Sequence, residues 1–99
     1  MKTKTIFRNS SHSNSSSHDC LVKEINGRKV KLTYEAYNAV ERCNVELFDG
    51  NKWNIILSMM DMGIVPNTSA YNIWDSAKRK NRAEEIFKTA EKLIGSILS

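Results

Sequence analysis

Val45–Met62, VELFDGNKWNIILSMMDM, can be read in two ways, and the choice sets the balance of sheet and helix in this 99-residue chain. As a hairpin, Val45, Leu47, Trp53, Ile55 and Leu57 alternate about Asp49-Gly50, a pair suited to a tight turn. As a turn followed by a helix, Lys52–Met62 is apolar nearly all round through Trp53, Ile55, Ile56, Leu57, Met59, Met60 and Met62, the pattern of a buried helix. The methionine-rich run, with Gly63 placed as a C-cap, favours the helix.

Upstream, Asn26-Gly27 sits between two β-rich runs, Cys20–Ile25 and Arg28–Thr33. Asn-Gly is the preferred pair for a type I′ turn, because both central residues need positive φ. The implied register sets Ile25 opposite Arg28, Glu24 opposite Lys29 and Leu21 opposite Leu32. Leu21, Ile25, Val30 and Leu32 then share one face, while Glu24 and Lys29 pair across the other. After this hairpin, Thr33 reads as an N-cap for a helix over Tyr34–Asn44, with Leu32 and Tyr37 as a staple and Ala36, Val40, Cys43 and Leu47 on one face.

The chain begins with a polar stretch. Asn9–His18, NSSHSNSSSH, holds six serines and no apolar residue, so residues 1–19 read as a flexible leader, with a short edge strand at 3–8. Residues 20–99 read as a single α+β domain. A hydrophobic fraction of 40% with 26% charged residues suits one folded core. The cations of MKTKTIFRNSS have no apolar run behind them, and no segment is long and apolar enough to cross a bilayer, so a cytoplasmic protein is expected. Cys20 and Cys43, 23 positions apart, read as reduced thiols.

Downstream, Pro66 bars helix through the turn, and Asn67 or Thr68 can cap a helix carrying Ala70, Ile73, Trp74 and Ala77. A second stripe, Ala83, Ile86, Phe87, Ala90, Leu93, Ile94 and Ile97, is out of phase with the first, which predicts a break near Lys80–Arg82. Its heptad-like spacing suits either the core or a homodimer contact through the C-terminal helix. The fold expected is therefore an N-terminal β-hairpin, with or without an added N-terminal strand, followed by three or four helices.

Gly63–Arg82, GIVPNTSAYNIWDSAKRKNR, then resembles a helix-turn-helix: Lys52–Met62 as the positioning helix, Gly63–Asn67 as the turn and Thr68–Lys80 as the reading helix. The resemblance implies nucleic-acid contact through Ser69 and Asn72, with Lys78, Arg79, Lys80 and Arg82 neutralising phosphates and Arg28, Lys29 and Lys31 of the hairpin as a second patch. Met62–Phe87 also resembles one pentatricopeptide repeat through GIVPN, AYN and RAEEIF, but such repeats stack in series and no second copy is present.

A formal charge of +4 suits nucleic acid, a nucleoprotein complex or another acidic partner. His12, His18, Cys20 and Cys43 lack the paired short spacings of structural zinc sites, so no metal is expected. No phosphate loop, serine elbow or paired carboxylates appear, and neither a cofactor nor catalysis is expected. Trp53 and Trp74 fall on apolar faces and read as core, with Tyr34, Tyr37 and Tyr71 as weaker stacking candidates. Two functions remain: a small non-enzymatic regulator of nucleic acid, or an inhibitor or adaptor of the phage or mobile-element kind that blocks a larger protein partner.

Overall fold

The Asn26-Gly27 turn anchors the architecture. Asn26 and Gly27 have φ of 53° and 80°, the pair of positive values that a type I′ turn demands. In the computed structural model, which describes residues 3–13, 16–37, 40–60 and 76–98, this turn joins β2 (Ser16–Ile25) to β3 (Arg28–Tyr37). The pairs Ile25–Arg28, Glu24–Lys29 and Leu21–Leu32 stand opposite one another, the register read from the sequence. A Cβ at Gly27 would meet no atom within 4 Å, so Gly27→Ala suffers only the strain of positive φ. Its expected cost is about 1 kcal/mol, read as a lowered urea midpoint at unchanged slope.

Three further strands extend this hairpin. β1 (Thr3–His12) pairs antiparallel with β2, β4 (Val40–Phe48) with β3, and β5 (Trp53–Met60) with β4. The result is a five-stranded antiparallel sheet in the order β1-β2-β3-β4-β5, followed by one helix, α1 (Ser76–Leu98). Two layers follow: α1 covers one face of the sheet and leaves the other open.

The expectation of three or four helices is overturned. Tyr34–Asn44 is not a helix but the end of β3 and the start of β4. Tyr34 and Ala36 continue the inward alternation of Val30 and Leu32, and Glu41, Cys43, Val45 and Leu47 follow the same period on β4. A carboxylate among the inward positions disguises that period.

Lys52–Met62 as a helix is overturned as well, because Trp53–Met60 is β5. Val45 pairs with Leu57 but Glu46 pairs with Ile55, so Ile56 is an extra residue in the strand. This bulge puts Ile55, Ile56 and Leu57 out of simple alternation, and the run looks apolar on every side. Asp49 closes the loop, accepting the backbone N–H of Asn51 at 2.8 Å and of Lys52 at 2.9 Å. Those two bonds, with Asn54 Nδ2 at 3.0 Å, hold its carboxyl below the usual range.

The serine-rich run also takes part in the sheet, in β1 and β2, although it has no apolar burial to offer. Polar contacts serve instead: His12 Nδ1 lies 3.0 Å from Ser17 Oγ, and Arg8 holds Asp19 through Nε at 3.1 Å and Nη2 at 2.7 Å. The break expected near Lys80–Arg82 is absent, since α1 runs unbroken from Ser76 to Leu98. Of the preceding stripe, Ala77 is exposed in the first turn of α1, and Ala70, Ile73 and Trp74, with the proposed turn and most of the reading helix, lie outside the described residues.

The core is the interface between α1 and the inner sheet face. Ala83, Ile86, Phe87, Ala90, Ile94 and Leu98 pack on Leu21, Ile25, Val30, Leu32, Tyr34, Cys43 and Val45. Most of the C-terminal seam is thus core, while Leu93 and Ile97 remain exposed. Polar ties fix the helix along the sheet: Lys23 Nζ to Glu91 at 2.5 Å, Arg8 to Glu84, and the Arg8 guanidinium 5.6 Å from the Phe87 ring centre.

Candidate nucleic-acid interface

The proposed basic patch is divided by the fold. Arg79 and Arg82 are buried, each 4% exposed, on the side of α1 that faces the sheet. Arg82 donates to Glu41 through Nε at 3.1 Å and Nη2 at 2.5 Å, and Tyr34 Oη donates to the same carboxylate at 2.7 Å. Burial depresses the Arg82 pKa, but the hydrogen bonds and charge of Glu41, with smaller contributions from Glu85 and Tyr34, together outweigh it and the net shift is upward. Nε and Nη1 of Arg79 have no hydrogen-bond partner among the described residues. Lys80 is exposed, and Lys78 lies in the first described turn of α1. Ser69 and Asn72 lie outside the described residues.

The hairpin cations fare differently. Arg28 and Lys29 are exposed and Lys31 half-buried, and Lys29 and Lys31 project from the open face of the sheet. Registers across the five strands arrange that face in rows. At the end nearest the Asn26-Gly27 turn, Lys4, Glu24 and Lys29 lie beside Phe48 and Trp53. The next row holds Phe7, Val22, Lys31, Glu46 and Ile55. A third is polar throughout: Asn9, Cys20, Thr33, Asn44 and Ser58. Beyond it come Ser11, His18, Glu35 and Arg42.

The aromatic corner has a defined geometry. Phe48 and Trp53 stand with ring centres 5.1 Å apart and planes tilted by 46°. Lys31 Nζ sits 4.5 Å from the Trp53 centre, and Lys29 Nζ 5.2 Å from that of Phe48, both within cation–π range. Sequence reasoning placed Trp53 in the core. The bulge at Ile56 is what moves Trp53 and Ile55 to the open face while Leu57 stays inward, and Ile55 is 62% exposed there. Tyr34, expected to be partly exposed, is instead buried at 1%. The signal for the corner was present in the alternative hairpin reading, but the face that each residue takes was not.

Toward the opposite end, the open face dips into a shallow basin of about 230 Å³, lined outwardly by Asn9, Ser11, His18, Cys20, Thr33 and Glu35. His18 Nδ1 lies 3.9 Å from Glu35 Oε1, too far for a hydrogen bond.

The four residues weighed as metal ligands are dispersed. His18 and Cys20 are on the open face, whereas His12 and Cys43 face α1. Burial pushes the Cys20 thiol up and the Cys43 thiol up to about 12, so neither is a ready thiolate at neutral pH. Their opposite faces also keep the two sulfurs from pairing with each other. On the inner side, His12 Nδ1 is hydrogen-bonded to Ser17, while His12 Nε2, 3.4 Å from Asp19 Oδ2, has no hydrogen-bond partner among the described residues. Ser17 is only 1% exposed, so its hydroxyl is closed to a substrate. Compared with protein-family models, curated proteins and solved structures, the chain finds no match.

Proposed function

We propose that this chain is a small non-catalytic regulator that binds single-stranded nucleic acid on the open face of its sheet. The observation that carries the reading is the aromatic corner, where Lys31 and Lys29 stand over Trp53 and Phe48 on a solvent-facing sheet. Unstacked bases lie on aromatic rings and phosphates seek nearby cations, and this corner offers both within one row and its neighbour. A duplex presents its bases only by their edges, so stacking rings favour a single strand. A helix laid in a groove loses support because Arg79 and Arg82 are buried under α1. The surplus of four positive charges favours such a ligand, and a cytoplasmic setting suits both it and two free thiols.

The test is a titration of the protein with ~12-nucleotide single-stranded DNA and RNA across about 50 to 200 mM salt, followed by anisotropy. Affinity should fall with salt. The double variant Lys29→Ala/Lys31→Ala should bind about tenfold more weakly with a shallower salt slope. Trp53→Leu should cost about 1–3 kcal/mol of binding. Absence of binding at the lowest salt overturns the reading.

One observation favours the second reading, an inhibitor or adaptor for a protein partner. β5 carries no charged residue from Trp53 to Met60, lies at the edge of the sheet and exposes Ile55. Such an edge suits strand addition by an extended segment of another protein. In that case Ile55→Lys abolishes capture of the partner, and the lysine substitutions leave it nearly intact.

A further inference from the structure

The polar basin lies on the same face as the aromatic corner, and the two differ in chemistry in a way that assigns them different tasks. From Lys29 to Glu35 is six residues of β3, ~20 Å of extended strand, enough to receive several nucleotides in succession. The corner offers rings and ammonium groups. By contrast, the basin offers hydrogen-bonding groups and a carboxylate. The side chains of Asn9, Ser11 and Thr33 make no hydrogen bond to another described residue, and Glu35, with a side chain 54% exposed, meets only His18 at 3.9 Å. Its volume of about 230 Å³ is below that of a pocket for a drug-sized ligand and suits one planar ring system.

Glu35 decides what can enter. An ionised carboxylate accepts hydrogen bonds and donates none, and it repels phosphate. The backbone of the strand must therefore run along the cations, with Arg42 opposite Glu35 and Lys31 beyond Thr33 on β3, while a base edge turns into the basin. Cytosine, adenine and guanine present an exocyclic amine that donates to a carboxylate, whereas thymine and uracil have no such amine and offer a single N3–H flanked on both sides by carbonyl oxygens that repel it. Asn9, Ser11 and Thr33 can each donate or accept, so they complete the contact with the rest of the edge without setting its sign.

We propose that this basin is a base-reading subsite, in which Glu35 selects a nucleobase with an exocyclic amine against thymine or uracil. The inference rests on the single-strand reading above, and the experiment separates the two. The protein is titrated with ~12-nucleotide oligo-dC, oligo-dA and oligo-dT, and with the matching oligo-rC and oligo-rU. Oligo-dC and oligo-dA should bind about tenfold more tightly than oligo-dT, and oligo-rC more tightly than oligo-rU. Glu35→Gln, whose amide can face either way, should reduce that preference to less than about twofold. Lys29→Ala/Lys31→Ala should weaken every oligonucleotide alike and leave the preference in place. Thr33→Val serves as a second probe and should lower the affinity for oligo-dC, oligo-dA and oligo-rC while leaving oligo-dT and oligo-rU nearly unchanged.

Equal affinity for all five, still sensitive to Lys29 and Lys31, overturns the subsite and leaves the single-strand reading standing. A preference for thymine, or a preference untouched by Glu35→Gln, also overturns it. Failure of every oligonucleotide to bind removes both. Glu35 is exposed and has no close partner among the described residues, so its variant should keep the native circular dichroism and melting temperature.

Discussion

Arg82→Met is expected to lower the free energy of unfolding by about 3–5 kcal/mol, the range for breaking a buried ion pair from one side. Without the guanidinium, Glu41 remains 3% exposed, and the Tyr34 hydroxyl is its one remaining hydrogen bond among the described residues. Stability of a domain this size is on the order of 5–15 kcal/mol, so the variant sits near the edge of folding. Glu85, whose side chain is 47% exposed, can contribute little to the pair at 3.2 Å. The double variant Arg82→Met/Glu41→Leu removes both charges and should recover most of the loss, because an apolar pair of similar volume can replace a buried ion pair at little cost. Urea unfolding followed by circular dichroism measures both. A single variant within about 1 kcal/mol of the parent would show that the pair does not tie α1 to the sheet.

Stability should also fall steeply above pH 9. The Cys43 thiol is pushed up from 9.0 to about 12 by burial, with Glu41 adding to it, and Tyr34 is raised from 10.0 by burial and by its bond to Glu41. In both cases the folded state holds the proton more tightly than the unfolded chain. Their contribution is therefore complete below the unfolded value and lost as pH rises toward the folded one. For Cys43 the window is pH 9 to about 12, and the loss across it is roughly 4 kcal/mol at its limit. Cys43→Ala removes the more deeply buried of the two raised thiols and should move the onset upward, toward the unfolded value of tyrosine, with the less buried Cys20 thiol still contributing from pH 9. Unfolding midpoints taken between pH 7 and 11 test this; an onset unchanged by Cys43→Ala would mean that the thiol takes no part.

What could be read from residues alone was local. Asn26-Gly27 has one favourable geometry, and the turn, the Glu24–Lys29 pair and the inward set Leu21, Ile25, Val30 and Leu32 all follow from it. The apolar stripe of the last helix was equally plain, because seven positions repeat at helical spacing, and five of them bury against one surface. Reading failed where a strand breaks its own alternation. On β4 the inward series 41, 43, 45, 47 begins with Glu41, and a carboxylate at a core position argues against the strand until its partner is known. On β5 the extra residue at Ile56 turns an alternating run into one that looks apolar all round.

The candidate interface shows the same division. Arg28, Lys29 and Lys31 were legible as a cationic group because they surround the turn. Trp53 was not legible as a half-buried ring of the open face, since one inserted residue decides its face. Arg79 and Arg82 looked like a free basic run because charge is visible in a sequence and burial is not.

The chemistry of neighbouring residues sufficed for the β2–β3 turn, its register and the amphipathic C-terminal helix, since each depends on contacts within a few positions. The other three strands, the burial of Arg82 and the open aromatic face were settled only when distant segments met. Glu41 can occupy the core because Arg82, 41 positions away, supplies its counter-charge, and Trp53 faces outward because β5 must keep its pairing with β4 through a bulge. Both depend on partners far along the chain, and the free energy of such contacts exists only in the assembled fold.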